Sequence, residues 1–412
     1  MTIVVQKYGG SSLADADKIR DVARRVATSR DKGSDVVVVL SAMGKTTDSL
    51  ITLAQQIADQ PDDRELDVLL STGELISCTL MAMALKSMGY EAISLSGAQA
   101  GIQTDTRYSR ARIVSVEGKR IVKELHSGKI VIVAGFQGIT EDMDITTLGR
   151  GGSDTTAVAL AIALKADICE IYTDVKGVYT ADPRIVTDAR QLKDIGYDEM
   201  LEMATYGAKV MHSRAVELGG LYNMPILVAS TFSEDPGTLI HGGSEMEVRN
   251  KVRAIVHDLN VAKVTIQGVP DKPGIASSIF DPLARDGISV DTIVQNASVD
   301  RVTDLTFTVA KSDLNRAMRV VEPVANTIGA RGCVADSKLG KVSIVGTGMQ
   351  NAPGYAARMF KSLYEKGINI ELITTSEIRI TCIIDESRVN DAILALHKTF
   401  DMDKVEDAVK LS

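Results

Sequence analysis

The chain has 412 residues, 45% of them hydrophobic and 24% charged, with a formal net charge of -8. That length supports two or three domains, each with its own core, and the composition is that of an ordinary soluble globular protein. An acidic balance without a long basic block excludes a nucleic-acid binder. The apolar run at 2–5 ends at Lys7, too short for a signal peptide, and no later run is read as reaching a membrane span. Cys78, Cys169, Cys333 and Cys382 lie far apart, with no CxxC and no His cluster. They read as free thiols of a cytoplasmic protein, with no metal site.

In chain order, residues 3–5 read as a short strand followed by Lys7-Tyr8-Gly9-Gly10-Ser11-Ser12, and Ile19, Val22, Ala23 and Val26 then recur at helical spacing. A lysine and a glycine pair where strand gives way to helix is the usual address of a phosphate cradle. Residues 36–40 are a buried strand ending in Ser41-Ala42-Met43-Gly44-Lys45-Thr46-Thr47. The Gly-Lys-Thr is not a P-loop, because the residue five before Gly44 is Val39. It is a second polar turn offering Ser41, Gly44 and Thr47. A helix over 48–58 is expected to bury Leu50, Ile51, Leu53 and Ala54. Residues 66–70 precede Ser71-Thr72-Gly73-Glu74 and an apolar helix over 75–85, so Glu74 reads as a first-turn acid, either capping or facing a ligand.

A strand over 91–95 leads to a polar stretch ending in Tyr108-Ser109-Arg110-Ala111-Arg112, read as a long active-site loop. A helical fragment at 122–125 and a buried strand at 130–135 follow. The stretch from Thr147 to Thr156, Thr-Leu-Gly-Arg-Gly-Gly-Ser-Asp-Thr-Thr, then opens a helix running to about Leu164 without a charge after Asp154. Its glycines allow a tight turn and close approach of a ligand. Ser153 or Asp154 is expected to cap the helix, and Arg150 offers a planar fork for a carboxylate or phosphate. Asp154 would repel a plain anion and suits a ligand carrying both charges, such as an amino acid.

A strand over 166–172 leads to Thr173-Asp174 and on through Tyr179 to Ala181-Asp182-Pro183-Arg184. This reads as a nucleotide pocket, with Tyr179 as a wall, carboxylates for base or sugar, and Arg184 for phosphate. After a helix over 198–206, Lys209 reads as a second cation near phosphate. His212 has nothing to orient it as a base and reads as a cap or packing group before a helix over 213–219. Residues 226–228 are expected to close the sheet, and the Pro and Gly residues at 236–244 mark a boundary.

From about residue 250 a repeat appears. Val264 to Ala276 resembles Val342 to Ala356, each a strand, a glycine turn, Pro-Gly and a helix. Each helix ends alike, in Asp286-Gly287-Ile288 or Lys366-Gly367-Ile368, and each unit continues as strand, strand, helix. This is a βαββαβ unit twice over. The second unit has only 406–412 as a weak last strand, so the spare strand 252–256 is inferred to complete its sheet and interlock the two. Neither repeat holds a catalytic pair or metal cluster. With Asp271, Gln295 and Asn296 on one side and Asn369 and Glu371 on the other, they read as binding units, and the Pro273-Gly274 turn frees helix N–H groups for a carboxylate.

Taken together, Lys7-Tyr8-Gly9-Gly10-Ser11-Ser12, Ser41-Ala42-Met43-Gly44, Thr72-Gly73-Glu74, Thr147 to Thr156, Thr173 to Arg184 and Gly207-Ala208-Lys209 resemble the aspartate kinase family in order. The tail resembles that family's two ACT modules, down to Asn369-Ile370-Glu371. The resemblance implies an α/β protein: an amino-acid kinase fold over 1–245, with a mostly parallel open sheet between helices. Two interlocked ACT modules would follow over 246–336 and 337–412. It implies phosphorylation of the side-chain carboxylate of L-aspartate by ATP with Mg2+. Lys7 would stabilise the transferring phosphoryl group, with Gly9, Gly10 and Gly44 supplying backbone contacts. Ser41, Thr47, Glu74, Arg150 and Asp154 would hold aspartate. Thr173, Asp174, Tyr179, Asp182, Arg184 and Lys209 would hold ATP. Lysine and threonine would act as effectors near Asp271, Gly274, Ile275, Ala276, Gln295, Asn296, Asn369, Ile370 and Glu371. The modules of two chains would meet there in a homo-oligomer, or in a hetero-tetramer with a shorter chain starting near Met246. The alternatives are another kinase of the superfamily, acting on glutamate or acetylglutamate, and a catalytically silent amino-acid sensor. The Glu74, Arg150 and Asp154 set argues against the first, and the intact Lys7 and Lys209 against the second.

Overall fold

Consecutive apolar residues in the N-terminal half become the inner strands of one sheet, as runs buried on both faces do. The computed structural model describes residues 2–208, 210–242, 252–296, 301–349 and 353–404. By internal contact it falls into two units, Met1–Tyr179 with Gln191–Met246, and Thr180–Arg190 with Glu247–Ser412.

The first unit opens with β1 (Ile3–Tyr8), α1 (Ala16–Asp31), β2 (Asp35–Leu40), α2 (Thr46–Ile57), α3 (Asp63–Ser87) and β3 (Ala92–Leu95). It continues with β4 (Ile102–Thr104), β5 (Ile113–Val116), α4 (Lys119–His126), β6 (Ile130–Ala134), β7 (Gln137–Ile139), β8 (Ile145–Thr147) and α5 (Gly152–Ala163). Last come β9 (Ile168–Thr173), β10 (Asp194–Gly196), α6 (Tyr197–Thr205), α7 (Ser213–Tyr222), β11 (Ile226–Ser230) and β12 (Thr238–His241). The main sheet has the order β10-β12-β11-β9-β1-β2-β6-β3, and β4, β5, β7 and β8 form a smaller sheet. β1 lies between β2 and β9, parallel to both, with Lys7 in register with Val39 and Ile171. The C-terminal ends of β1, β2, β6 and β9 therefore open on the same side, where ligands bind in open α/β sheets.

Three expectations need correction. α2 buries nothing: Leu50, Ile51 and Ala54 are half-buried, and Leu53 is 52% exposed. Residues 66–70 and 75–85 are one helix, α3, capped by Asp62, so Glu74 lies in mid-helix rather than at a first turn. By length and composition α3 could cross a membrane, but half of its most apolar window is buried in the protein, and that buried stripe includes Asp67 and Glu74. Finally, β11 does not close the sheet, since β12 and β10 extend it.

The second unit contains β13 (Ala254–Pro270), α8 (Ile275–Arg285), β14 (Val290–Gln295), β15 (Val302–Val309), α9 (Leu314–Thr327) and β16 (Gly332–Val345). α10 (Tyr355–Glu365), β17 (Leu372–Thr375), β18 (Arg379–Asp385) and α11 (Val389–Thr399) follow. One sheet runs β14-β15-β13-β16-β18-β17. The spare strand and the first strand of the repeat are continuous in β13. Its start pairs with the second repeat (Ala254 with Val345), and its later part with β15 and the beginning of β16. The residues 406–412 lie outside the described residues. Residues 180–190 pack into this unit: Ala181 and Val186 join Val342, Ile344, Leu396 and Phe400 in its core. Ile255 N donates to Thr180 O at 2.8 Å, and Thr180 Oγ1 lies 3.1 Å from His397 Nε2.

Candidate active site

Lys7, next to the end of β1, places its Nζ 2.6 Å from Asp154 Oδ1, and the two side chains are only 12% and 11% exposed. Asp154 stands in the first turn of α5, a helix whose residues are buried from Gly152 to Ala161. Its Oδ2 accepts from His212 N at 3.4 Å. The expected side-chain cap of α5 is absent: the cap residue is Gly151 at φ 69, and neither Ser153 nor Asp154 caps it. The helix already begins at Gly152, so both lie inside its first turn and the cap falls on Gly151, where a Cβ would come within 2.2 Å of the His212 ring. His212 itself caps α7, accepting from Arg214 N at Nδ1. Burial lowers its pKa, against the pull of Asp154, and keeps the ring neutral.

The turns after β1 and β2 lock together. Gly44 N donates to Gly10 O at 2.9 Å, Gly9 N to Tyr172 O, and Ser41 N to Tyr8 O. A Cβ on Gly10 would lie 2.7 Å from Ala42 O, so no other residue fits without moving the second turn. Gly9 and Gly44 thus use their N–H groups to shape the turns. Ser41 and Thr47 are half-buried on the second turn and at the start of α2. Glu74 reaches the same turn from α3, its Oε1 accepting from Ala42 N at 3.0 Å. Its Oε2 is buried without a hydrogen-bond partner among the described residues. Burial pushes the Glu74 carboxyl up to about 7. Such an orphaned oxygen needs a donor, and a ligand ammonium would supply one. Arg150 is exposed.

The remaining residues are not drawn into this centre alike. Thr173 ends β9 and donates from Oγ1 to Asp174 Oδ1, and Tyr179 bridges to Gln191. Asp182 and Arg184 belong to the second unit and bind one another, with Nη2 to Oδ2 at 2.7 Å and Nε to Oδ1 at 3.0 Å. The guanidinium holds the Asp182 carboxyl below its usual range. Lys209 lies outside the described residues. Of the effector candidates, Asp271, Gly274, Ala276, Gln295 and Asn296 are exposed, Ile275 is half-buried, and Gly274 begins α8 at φ 92. Asn369 Nδ2 donates to Glu371 Oε1, and Lys263 pairs with Glu371 at 2.8 Å, while Ile370 is half-buried. Gln295 ends edge strand β14, and Asn369 to Glu371 lead into the opposite edge strand β17.

Two side chains central to the site escaped the sequence reading. Asp67 and Arg214 both bind the backbone of the turn that carries Arg150. The signal for Asp67 was its place seven residues before Glu74 in an apolar stretch, which puts both acids on one helix face.

A lysine–aspartate pair framed by interlocked glycine turns at the ends of parallel strands defines a site for phosphoryl transfer to a small charged acceptor. Residues 2–230 match the amino acid kinase family, and residues 264–323 and 342–400 each match the ACT domain. The chain is 48% identical over 404 residues to an aspartate kinase of Stutzerimonas stutzeri, covering 98% of each. It resembles the solved structure of E. coli aspartokinase III in complex with aspartate and ADP, with TM-score 0.82 and 26% identity, covering 96% of this chain and 99% of that one. The same E. coli protein in complex with lysine and aspartate matches with TM-score 0.74 and 26% identity over 97% and 99% of the two chains. The chain belongs to the aspartate kinase family. It is an ATP-dependent kinase of L-aspartate with two ACT domains.

Proposed function

We propose that Lys7 is the cation that stabilises the phosphoryl group in flight, and that Glu74, Arg150 and Asp154, with Ser41 and Thr47, hold L-aspartate. The observation that carries this reading is the nearly buried Lys7–Asp154 pair, an ammonium held in place before substrate arrives. The nucleophile is the β-carboxylate of aspartate, already ionised at neutral pH, so it attacks the γ-phosphorus without a general base while ADP leaves. Catalysis is then alignment and positive charge on the phosphoryl oxygens. Arg150 takes the α-carboxylate in a fork and the orphaned Glu74 oxygen takes the ammonium. Gly10 approaches the phosphates. Thr173, Asp174 and Tyr179 hold ATP, and for Asp182, Arg184 and Lys209 that role rests on the family resemblance alone. Magnesium would enter with ATP, bound largely through the phosphates and water, and would add positive charge there.

The ACT half answers to lysine and threonine in this reading. Threonine binds near Asp271, Gly274, Ile275, Ala276, Gln295 and Asn296 of one chain and Asn369, Ile370 and Glu371 of another. Gln295 at the end of edge strand β14 and Asn369 to Glu371 beside the opposite edge strand β17 belong to opposite edges of one sheet, which favours a site completed between chains and hence an oligomer. The division into 1–245, 246–336 and 337–412, and a shorter partner chain starting near Met246, belong to the same proposal. Hydroxylamine trapping of the acyl phosphate, with coupled ADP release, tests the substrate reading. Turnover on aspartate, little on glutamate or acetylglutamate, and loss on chelation of magnesium are expected, and equal turnover on all three would overturn it.

A further inference from the structure

The 25-residue α3 carries two buried acids, Asp67 and Glu74, and only Glu74 has a place in the reaction described above. Asp67 is fully buried and fully engaged. Its Oδ2 accepts from Ser109 N at 2.9 Å and Thr147 N at 2.8 Å, and its Oδ1 from Thr147 Oγ1 at 2.6 Å and more distantly from Ser109 Oγ. Burial raises its pKa, and these hydrogen bonds pull it back. Thr147 and Ser109 belong to different segments, the last residue of β8 and the loop at 105–112. Those segments are joined to each other by Ala111 N donating to Thr147 O at 2.9 Å. Arg214, on α7, spans them as well, donating to Leu148 O at 2.7 Å and Ala111 O at 3.0 Å.

The glycine-rich turn that follows Thr147 is thus gripped at its root from two helices, and Arg150 stands two residues beyond Leu148, the last residue held. We infer that Asp67 is a positioning residue for aspartate binding, fixing the backbone from which Arg150 reaches the substrate carboxylate. α3 then acts as a common ruler: Glu74 pins the turn after β2 through Ala42 N, and Asp67, two helical turns away on the same face, pins the turn before α5. The spacing between ammonium and carboxylate subsites is set by one rigid element. A glycine-rich turn left to itself would sample many conformations, and Arg150 would pay that ordering cost each time aspartate bound.

The inference rests on the assignment of Arg150 to the substrate carboxylate, and the test separates the two. Aspartate KM, ATP KM and kcat are measured for Asp67→Ala, Asp67→Asn, Thr147→Val, Arg150→Ala and the double variant Asp67→Ala/Arg150→Ala. Removing the buried acceptor should raise aspartate KM about tenfold or more, with ATP KM within about twofold. Asp67→Asn keeps one oxygen for both backbone N–H groups and an amide that can donate to the Thr147 hydroxyl, so its aspartate KM should return to within about threefold of wild type. The double variant should be no worse than Arg150→Ala, because Asp67 acts through that residue. Multiplied effects in the double variant, or parallel rises in both KM values, overturn the inference. A tenfold effect of Arg150→Ala with none from Asp67→Ala overturns it alone, while no effect of Arg150→Ala overturns the assignment beneath it too. Thr147→Val removes only the hydroxyl bond and leaves both backbone N–H bonds, so it should behave like Asp67→Asn. If Asp67→Ala does not fold, Asp67→Ser decides: its shorter side chain cannot reach both backbone N–H groups, and an aspartate KM unchanged from wild type overturns the inference.

Discussion

Replacing Glu74 with glutamine should stabilise the unliganded enzyme in a strongly pH-dependent way. The Glu74 carboxyl ionises at about 7 in the folded protein, because burial disfavours its charge more than the hydrogen bond from Ala42 N favours it. In the unfolded chain the same group ionises near the ordinary value of about 4.3. A raised acid pKa costs stability as pH rises: below about pH 4 the group is protonated in both states and neutral in its effect. Between about pH 4.5 and 7 only the unfolded chain loses the proton, so stability falls, and above that range the loss is complete. With 1.36 kcal/mol for each pKa unit, the full loss is about 4 kcal/mol, of which roughly two thirds accrues between pH 5 and pH 8. Glutamine keeps an oxygen for Ala42 N and never ionises, so it escapes the loss. Calorimetric melting of wild type and Glu74→Gln, each without ligand at about pH 5 and pH 8, isolates this group because other titrations cancel in the difference. At roughly 2–4 °C per kcal/mol for a unit of this size, the advantage of the variant should grow by several degrees over that range. A difference that stays constant with pH would refute the reasoning. The same substitution should weaken aspartate binding at pH 8, where the ionised Glu74 is the partner of the substrate ammonium.

Lys7→Ala should lower turnover about a hundred- to a thousand-fold, roughly 3–4 kcal/mol of transition-state stabilisation, with circular dichroism unchanged; near-normal kcat would remove Lys7 from its role. Gln295→Ala or Ala276→Val should relieve inhibition by lysine plus threonine without changing uninhibited turnover, erasing a coupling of about 1–3 kcal/mol, read by titrating activity with each effector and both. Gly151→Ala should destabilise the first unit by at least roughly 2 kcal/mol, since an alanine there is strained at φ 69 and its Cβ meets the His212 ring. Urea unfolding measures that loss, and wild-type stability would show that the turn relaxes freely.

Much of this was legible where local pattern and burial agree. Residues 36–40 and 130–134 are apolar at every position because both faces of those strands are covered, and glycine pairs mark the turns that follow strands. The doubled pattern of the C-terminal half exposed its succession of strands and helices in the same way, though 332–335 and 342–345, read as two strands, run on as one in β16. Continuity was harder to see. Ser71-Thr72-Gly73 reads as a turn, yet it runs unbroken through α3, where small side chains let the helix approach the turn after β2. Residues 257–260, His-Asp-Leu-Asn, read as a break, but β13 carries them through a bulge near Asp258 and Val261. Asp67 stayed hidden because its four partners come from Ser109 and Thr147, far away in sequence, and no local rule ties an acid to a distant backbone. The apolar positions of α2 misled in the opposite direction, since nothing in a helical stripe says whether a partner covers it.

The packing of residues 180–190 bears on how the chain can be cut. A break near residue 246 does not yield two self-sufficient pieces, because the C-terminal piece leaves part of its own interior behind on the other side. It loses Ala181 and Val186 from among Val342, Ile344 and Phe400, the acceptor for Ile255 N, and the partner of His397. A subunit translated from near Met246 must therefore collapse into that gap or borrow the same eleven residues from a full-length chain. In the second case such a short chain would be an obligate client of a full-length one, and its solubility when expressed alone would report that dependence directly.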